Sequence, residues 1–440
     1  MSEWKKVKIG EFLTESKVLA EESDAAHRIT VRLNCKGVEK RGLKAEKEGA
    51  TKYYTRYAGQ FIYGKQNIHK GAFGIIPPEL DGFTSSADLP AFDIDESKCV
   101  PEWIPLCLKV DERYKTLQKE VKGVGSQRLA VNVFLNVEIP LPDVNVQRKI
   151  LAKVSKKITS IALLDDETEK QKSYAKQLRQ NILQEAIEGK LTADWRKQHP
   201  VQKGNPDYDA EALFEKIQAE KSETKSSKKT SVPITKDEIP FEIPTGWKWV
   251  RLGEICRKLT DGSHNPPPNS GKGYPVISAM NIKNGRISLD NVIRYTDENG
   301  FQRENKRTSI TKGDIIMGII GASIGNVAIY DHDKKVIAQR SIAIIDALID
   351  NVFVLNALNS IFIQKYLNEK AFGSAQGGVY LGKISNIPFP LPSLAEQKEI
   401  VARVERHLQT ITQLETQIAT RETTTKQLMQ SILKDAFEEG

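Results

Sequence analysis

Cysteine is scarce in this sequence. Only Cys35, Cys99, Cys107 and Cys256 occur in 440 residues, with no CxxC spacing and no histidine cluster nearby, which argues against a disulfide framework or a zinc site. The histidines, His27, His69, His199, His264, His332 and His407, are scattered. No apolar run reaches the roughly 18 residues of a membrane helix, and none lies near Met1. A cytoplasmic protein with reduced, buried thiols and no metal site is expected. The usual signatures of chemistry are missing too. There is no GxxxxGK[ST], HExxH, GxSxG or PD…(D/E)xK pattern. The glycine-rich GIIGASIG (Gly318 to Gly325) lacks GxGxxG spacing and an acidic residue on a following strand, so it reads as a tight turn between strands.

What the chain does contain is a repetition. Residues 139–188 align without a gap on 389–438, offset by 250, with 17 of 50 positions identical. A shorter echo pairs WKKVKIGEF (Trp4 to Phe12) with WKWVRLGEI (Trp247 to Ile255), five identities in nine. Each echo opens one half and each long repeat closes it. Length and a hydrophobic content of 39% allow several ordinary cores.

The long repeats read as helices. In the second, residues at Ile400, Val404, Leu408, Ile411, Leu414, Ile418, Arg421, Thr425, Leu428 and Ile432 form a near-heptad seam. The first carries Ile150, Val154, Ile158, Ile161, Leu164, Thr168, Gln171, Ala175, Leu178 and Ile182. Both seams weaken at the same place, so each helix is the natural partner of the other. Each begins after a Pro-Leu-Pro tripeptide, with Asp143 or Ser393 as N-cap. About 45 helical residues give a rod of roughly 65 to 70 Å. An antiparallel pair would act as a spacer with one variable block at each end.

The variable blocks read as α+β. GQFIYGK (Gly59 to Lys65), GDIIMGI (Gly313 to Ile319), NVAIYD (Asn326 to Asp331) and SIAIID (Ser341 to Asp346) have strand patterns, and Val352 to Lys370 has the period of one five-turn helix. The expected organisation is a first block over 1–142, a helix over 143–192, a linker over 193–240, a second block over 241–392 and a helix over 393–440. The polar stretch Lys221 to Pro233 is expected to be the flexible part of the linker. Each block holds a basic window. Lys36 to Lys70 has nine Lys/Arg against three Asp/Glu, and Arg257 to Lys312 has ten against five. Two such windows suit two contacts with a polyanion. HNPPPNS (His264 to Ser270) resembles the NPP[YFW] loop of adenine methyltransferases, but Pro268 stands at the aromatic position and no FxGxG turn precedes it. A proline-stiffened surface loop is expected there.

The doubled architecture resembles the specificity subunit of type I restriction-modification enzymes. The resemblance rests on PLP-x-x-x-x-Q-[RK]-x-I-[LV]-A-[KR]-V at Pro140 to Val154 and Pro390 to Val404, on the LxQxIL endings, and on the W-K-x-V-[KR]-[IL]-G-E block starts. It implies two target-recognition domains, each reading half of a split double-stranded DNA site, joined by an antiparallel coiled coil. It further implies a chain without catalysis or cofactor of its own. S-adenosylmethionine would sit on a separate methyltransferase subunit, two copies of which dock here, and a translocase subunit would complete the enzyme. A specificity protein serving a bifunctional nuclease-methyltransferase would share the architecture, and a helical scaffold or a methyltransferase acting through HNPPP are the readings of other classes.

On hydrogen-bonding chemistry, the DNA-contact candidates are Lys65, Gln66, Asn67, Lys70, Gln127 and Arg128 in the first block. In the second they are His264, Asn265, Lys272, Asn281, Lys283, Gln339 and Arg340. Positions shared by the repeats but off the seam mark candidate partner contacts: Gln147 with Gln397, Ala152 with Ala402, and Gln180 with Gln430, together with Arg403 and Glu405.

Overall fold

The computed structural model describes residues 4–21, 24–42, 52–121, 127–223, 232–290, 292–371 and 377–438. Contacts divide the chain into two compact units, 1–170 with 418–440, and 171–417.

In the first unit the echo strand Lys6–Lys8 pairs antiparallel with Glu138–Pro140, the strand that runs into the long helix. The second unit repeats this with Lys248–Arg251 against Pro388–Leu391. Prolines are tolerated here because each ladder has only two strands and leaves an edge free. The two short sequence echoes therefore meet the two long ones inside each block. Between them lies a four-stranded antiparallel sheet in the order Leu13–Ser16, Ala91–Ile94, Phe61–Tyr63, Phe73–Ile75. The second unit has the same order in Cys256–Asp261, Ile342–Ala347, Ile315–Gly318, Val327–Ile329. The chain is α+β, with two such blocks and two long helices forming an antiparallel coiled coil.

Those helices run over Val144–Ile187 and Leu394–Glu438. The Asp143 carboxylate accepts from the Asn145 amide at 2.8 Å and starts the first. In the first unit Ile150 and Val154 share a core with Leu433, Ala436 and Phe437. In the second, Arg179 donates to Glu415 at 3.0 Å and to Thr412 at 3.3 Å. The start of each helix thus meets the end of the other. The buried stripe is narrower than the seam in the sequence. Ile150, Val154, Ile161, Thr168, Ala175 and Ile182 are buried, as are Ile400, Val404, Ile411, Ile418 and Thr425. Leu164, Leu178, Leu414 and Leu428 are instead 42 to 47% exposed, because between the first and last turns of each helix essentially one residue per heptad is enclosed. Thr168 meets its burial by donating to the Leu164 carbonyl at 2.7 Å.

Two further elements differ from the sequence pattern. The five-turn helix is two helices, Asn351–Leu358 and Ile361–Ala371. Ser360 breaks it: its hydroxyl accepts from the Ile363 amide, while the Phe362 amide goes to Gln184 of the first long helix. Segment 193–240 holds the helices Ala193–Gln198 and Ala210–Glu223. The second buries Ala210, Leu213 and Ile217, spaced for one helical face, and Gln218 and Lys221 donate to carbonyls of Gly253, Glu254 and Cys256. Residues 224–231 of the lysine- and serine-rich stretch lie outside the described residues.

Candidate nucleic-acid interface

In the first block the strand Phe61–Tyr63 runs out through Gly64 into Lys65 to Gly71. The Lys65 amide donates to Asp88 at 2.9 Å and its carbonyl accepts from Leu129 at 2.8 Å, so three segments lie side by side. Ile68, fully buried, anchors the 3-10 turn Ile68–Lys70. The amides of Asn34 and Cys35 donate to the carbonyls of Lys70 and Gly71, adding a fourth segment. Gly71 is required there: its φ is +80°, and a Cβ would stand 2.6 Å from the Cys35 nitrogen. Gln66, Lys70, Gln127 and Arg128 are exposed, and Lys65 and Asn67 are half-buried. Arg128 binds Asp88 through Nε at 2.9 Å and Nη2 at 3.2 Å. Residues 43–51 of the basic window lie outside the described residues.

The second block builds its counterpart at the same end of its sheet, where Cys256–Asp261 and Ile315–Gly318 finish and Ile342–Ala347 begins. The Ser263 amide donates to Ala338 at 2.7 Å, and Arg340 returns a bond to Ser263 at 3.0 Å. Gly262 permits this approach, since a Cβ would lie 2.0 Å from the Gln339 carbonyl oxygen. The Ala279 amide donates to the Ser341 hydroxyl at 3.1 Å. His264, Gln339 and Arg340 therefore converge, with Asn265 exposed beside them. Asp261 holds His264 Nε2 at 2.8 Å and Arg307 Nη1 at 2.9 Å. Arg307 and Met280, which is 71% exposed, join this end and were missed in the sequence. A charge count could have found Arg307; nothing local singles out Met280.

Three candidates separate from this group. Asn281 is 8% exposed, its side chain accepting from the Ser278 amide and donating to the Ser288 carbonyl, so it holds a turn rather than facing solvent. Lys272 stands at the other end of the strand Tyr274–Ile277. Lys283 is exposed on the hairpin that follows, whose Asn284-Gly285 turn has φ of 51° and 72°. The HNPPPNS loop is pinned to the strand Tyr295–Thr296: Asn269 accepts from the Tyr295 amide and Arg294 donates to the Pro267 carbonyl.

The partner candidates divide as well. Gln147 and Gln397 are fully buried, which corrects the expectation of a docking role. Gln147 accepts from the Val100 amide and donates to the carbonyls of Lys98 and Pro142, and Gln397 accepts from Asp350 and donates to Pro392. Each locks its helix to the block preceding it. Arg403 is likewise committed within the chain, to Asp194, Glu399 and the Leu191 carbonyl. Gln430 accepts from the Asp111 amide and donates to the Lys109 carbonyl. Gln180 is exposed. Ala152 and Ala402 are exposed, and Ala152 lines an open apolar groove of about 520 Å³ with Leu106, Leu151 and Ile158. The second unit has a groove of about 650 Å³ at the repeat-equivalent place, lined by Val401, Val404, Glu405 and Leu408.

Residues 244–421 match the family described as type I restriction modification DNA specificity domain. The EcoBI specificity subunit of Escherichia coli is 25% identical over 327 residues, 73% of this chain and 62% of that subunit. Both resemblances are to type I restriction-modification specificity proteins. The EcoAI subunit of Escherichia coli is 26% identical over 273 residues, 59% of this chain and 44% of its own length. The alignments thus span less than two thirds of either curated relative. In fold, a solved chain from a type I R-M system superposes over 99% of this chain and 98% of its own, at a TM-score of 0.55 and 19% identity. Among the described residues no helix is long and apolar enough to cross a membrane.

Proposed function

We propose that this chain is the DNA sequence-specificity subunit of a type I restriction-modification enzyme. It reads a split double-stranded site, one half with each block. One observation carries this reading: two unlike sequences fold to the same sheet order and gather exposed Lys, Arg, Gln, Asn and His side chains at the same end of it. Long basic side chains there supply phosphate contacts, while Arg, Gln and Asn carry the paired donors and acceptors that distinguish base edges. Lys65, Gln66, Asn67, Lys70, Gln127 and Arg128 form the first face, and His264, Asn265, Gln339, Arg340 and Arg307 the second.

In this reading the chain itself is not catalytic. Methyl transfer belongs to a separate subunit that carries S-adenosylmethionine, and cleavage to a translocase subunit. The two repeat-equivalent grooves support docking of two methyltransferase copies in related ways.

Selection from random-sequence duplexes by the full chain tests the recognition role. The expected product is two short specified clusters separated by an unspecified gap of fixed length. Enrichment of a single continuous cluster, or of none, would contradict it.

A further inference from the structure

The Arg128–Asp88 pair is built more carefully than a surface ion pair needs to be. Both side chains are nearly half exposed, at 46% and 47%. Such a pair adds little to stability in water. Yet its geometry is fixed from both sides. Lys65 lies between the two segments, its amide bonded to Asp88 and its carbonyl to the amide of Leu129, the residue after Arg128. Asp88 takes Nε and Nη2, one edge of the planar guanidinium. That leaves the Nη1–Nη2 end of a half-exposed side chain with two parallel N–H donors and no other partner among the described residues. A flexible lysine suffices for a phosphate. A planar fork held by a carboxylate suits a target with two acceptors at fixed spacing.

We infer that Arg128, oriented by Asp88, reads the O6/N7 edge of a guanine in the half-site contacted by the first block. This rests on the recognition reading above and assigns one base contact within it. Asp88 is a positioning residue: it touches no base, and it holds the guanidinium in the plane of one. Lys65, whose backbone lies between the two segments, and exposed Lys70 of the same loop supply phosphate contacts that set its register. The second block uses a related device, with Asp261 holding Arg307 and His264.

A phosphate also offers paired acceptors, so the test separates base from backbone. The full-length wild type, Arg128→Ala, Arg128→Lys and Asp88→Asn are each used to select from random-sequence duplexes, and their affinities for the selected site are measured across salt concentrations. Both positions of change carry half-exposed side chains, and unaltered helix content and melting confirm folding. The expected result is that Arg128→Ala flattens preference at one guanine in one cluster, cutting discrimination there about ten- to hundredfold, with the other cluster unchanged. Asp88→Asn should weaken preference at that same position by a smaller factor, and Arg128→Lys should restore part of it. A uniform loss of affinity for all sequences, with the salt slope lowered by about one and the selected site unchanged, would make Arg128 a phosphate contact and overturn the inference. Unchanged preference and affinity would reduce the pair to surface chemistry and overturn it too. If the wild type selects nothing, the recognition reading fails first and this assignment falls with it.

Discussion

The two blocks reach one sheet order by different chemistry. The first fills its core with rings: Phe134 lies within 6 Å of the ring centroids of Phe61, Tyr63 and Phe92. The second uses Ile315, Ile316, Met317, Ile342, Ile344 and Ile345. The tryptophans that open the blocks differ as well. Trp4 packs against Trp103 and Phe437. Trp247 instead donates to the buried Glu396 at 2.7 Å, and the same carboxylate accepts from Thr192 and pairs with Arg196. The residue matching Glu396 in the first repeat is Val146. Pairing order and block closure are thus shared while the filling is free to vary. The second block is joined to its helix by a charge, the first by an aromatic contact.

The sharpest way to break this symmetry is Glu396→Ala. It leaves Arg196, Thr192 and the Trp247 indole without their acceptor, and removing one partner of a buried pair costs about 3 to 5 kcal/mol. Hydrogen exchange should show opening of the second unit near Trp247 with the first unit unaffected; equal loosening of both would contradict independent joints. Gln147→Ala should rank next. Three partly buried bonds are lost, to Val100, Lys98 and Pro142, which implies about 2 to 3 kcal/mol in the first unit. Gln397→Ala, with two such partners, should cost less in the second. Reversal of that order in thermal melts would show that the two glutamines are not doing equivalent work.

The smallest effect concerns acid. Glu238 accepts two bonds from Arg251, which hold its carboxyl down at about 2 against an ordinary 4.5. A depressed carboxyl adds stability that is complete above 4.5 and is lost as pH falls toward 2. Glu238 is about a third exposed, so solvent screening leaves about 1 kcal/mol. The first block puts exposed Lys8 where Arg251 stands. Between pH 5 and 3 the second unit should therefore loosen around 232–238 more than wild-type symmetry would give, and Glu238→Gln should remove that difference. An unchanged acid profile in Glu238→Gln would sink the assignment.

The large features were legible because they are periodic or repeated. The strands at Phe61, Ile315, Val327 and Ile342, the glycine turn after Gly318 and both long helices follow from local pattern. What could not be read depends on contacts distant in sequence. Gln147 and Gln397 look like surface positions shared by the repeats, and only the fold shows them buried against loops some 47 residues away. The break at Ser360 depends on Gln184, 178 residues from the amide it accepts. Asn281 and Arg307 have the same side-chain chemistry as any base reader, and burial alone separates them. The apolar spacing of Ala210, Leu213 and Ile217 was present in the sequence, but the polar residues around it masked a helix that packs on the second block.

The central claim is that each block reads its own half of the site. It is tested most directly by exchanging the second block, 241–392, for the corresponding block of a relative and repeating the duplex selection with the full-length chimera. The account predicts that one half of the selected site changes, while the other half keeps its sequence. A chimera in which both halves change together, or neither does, would contradict it.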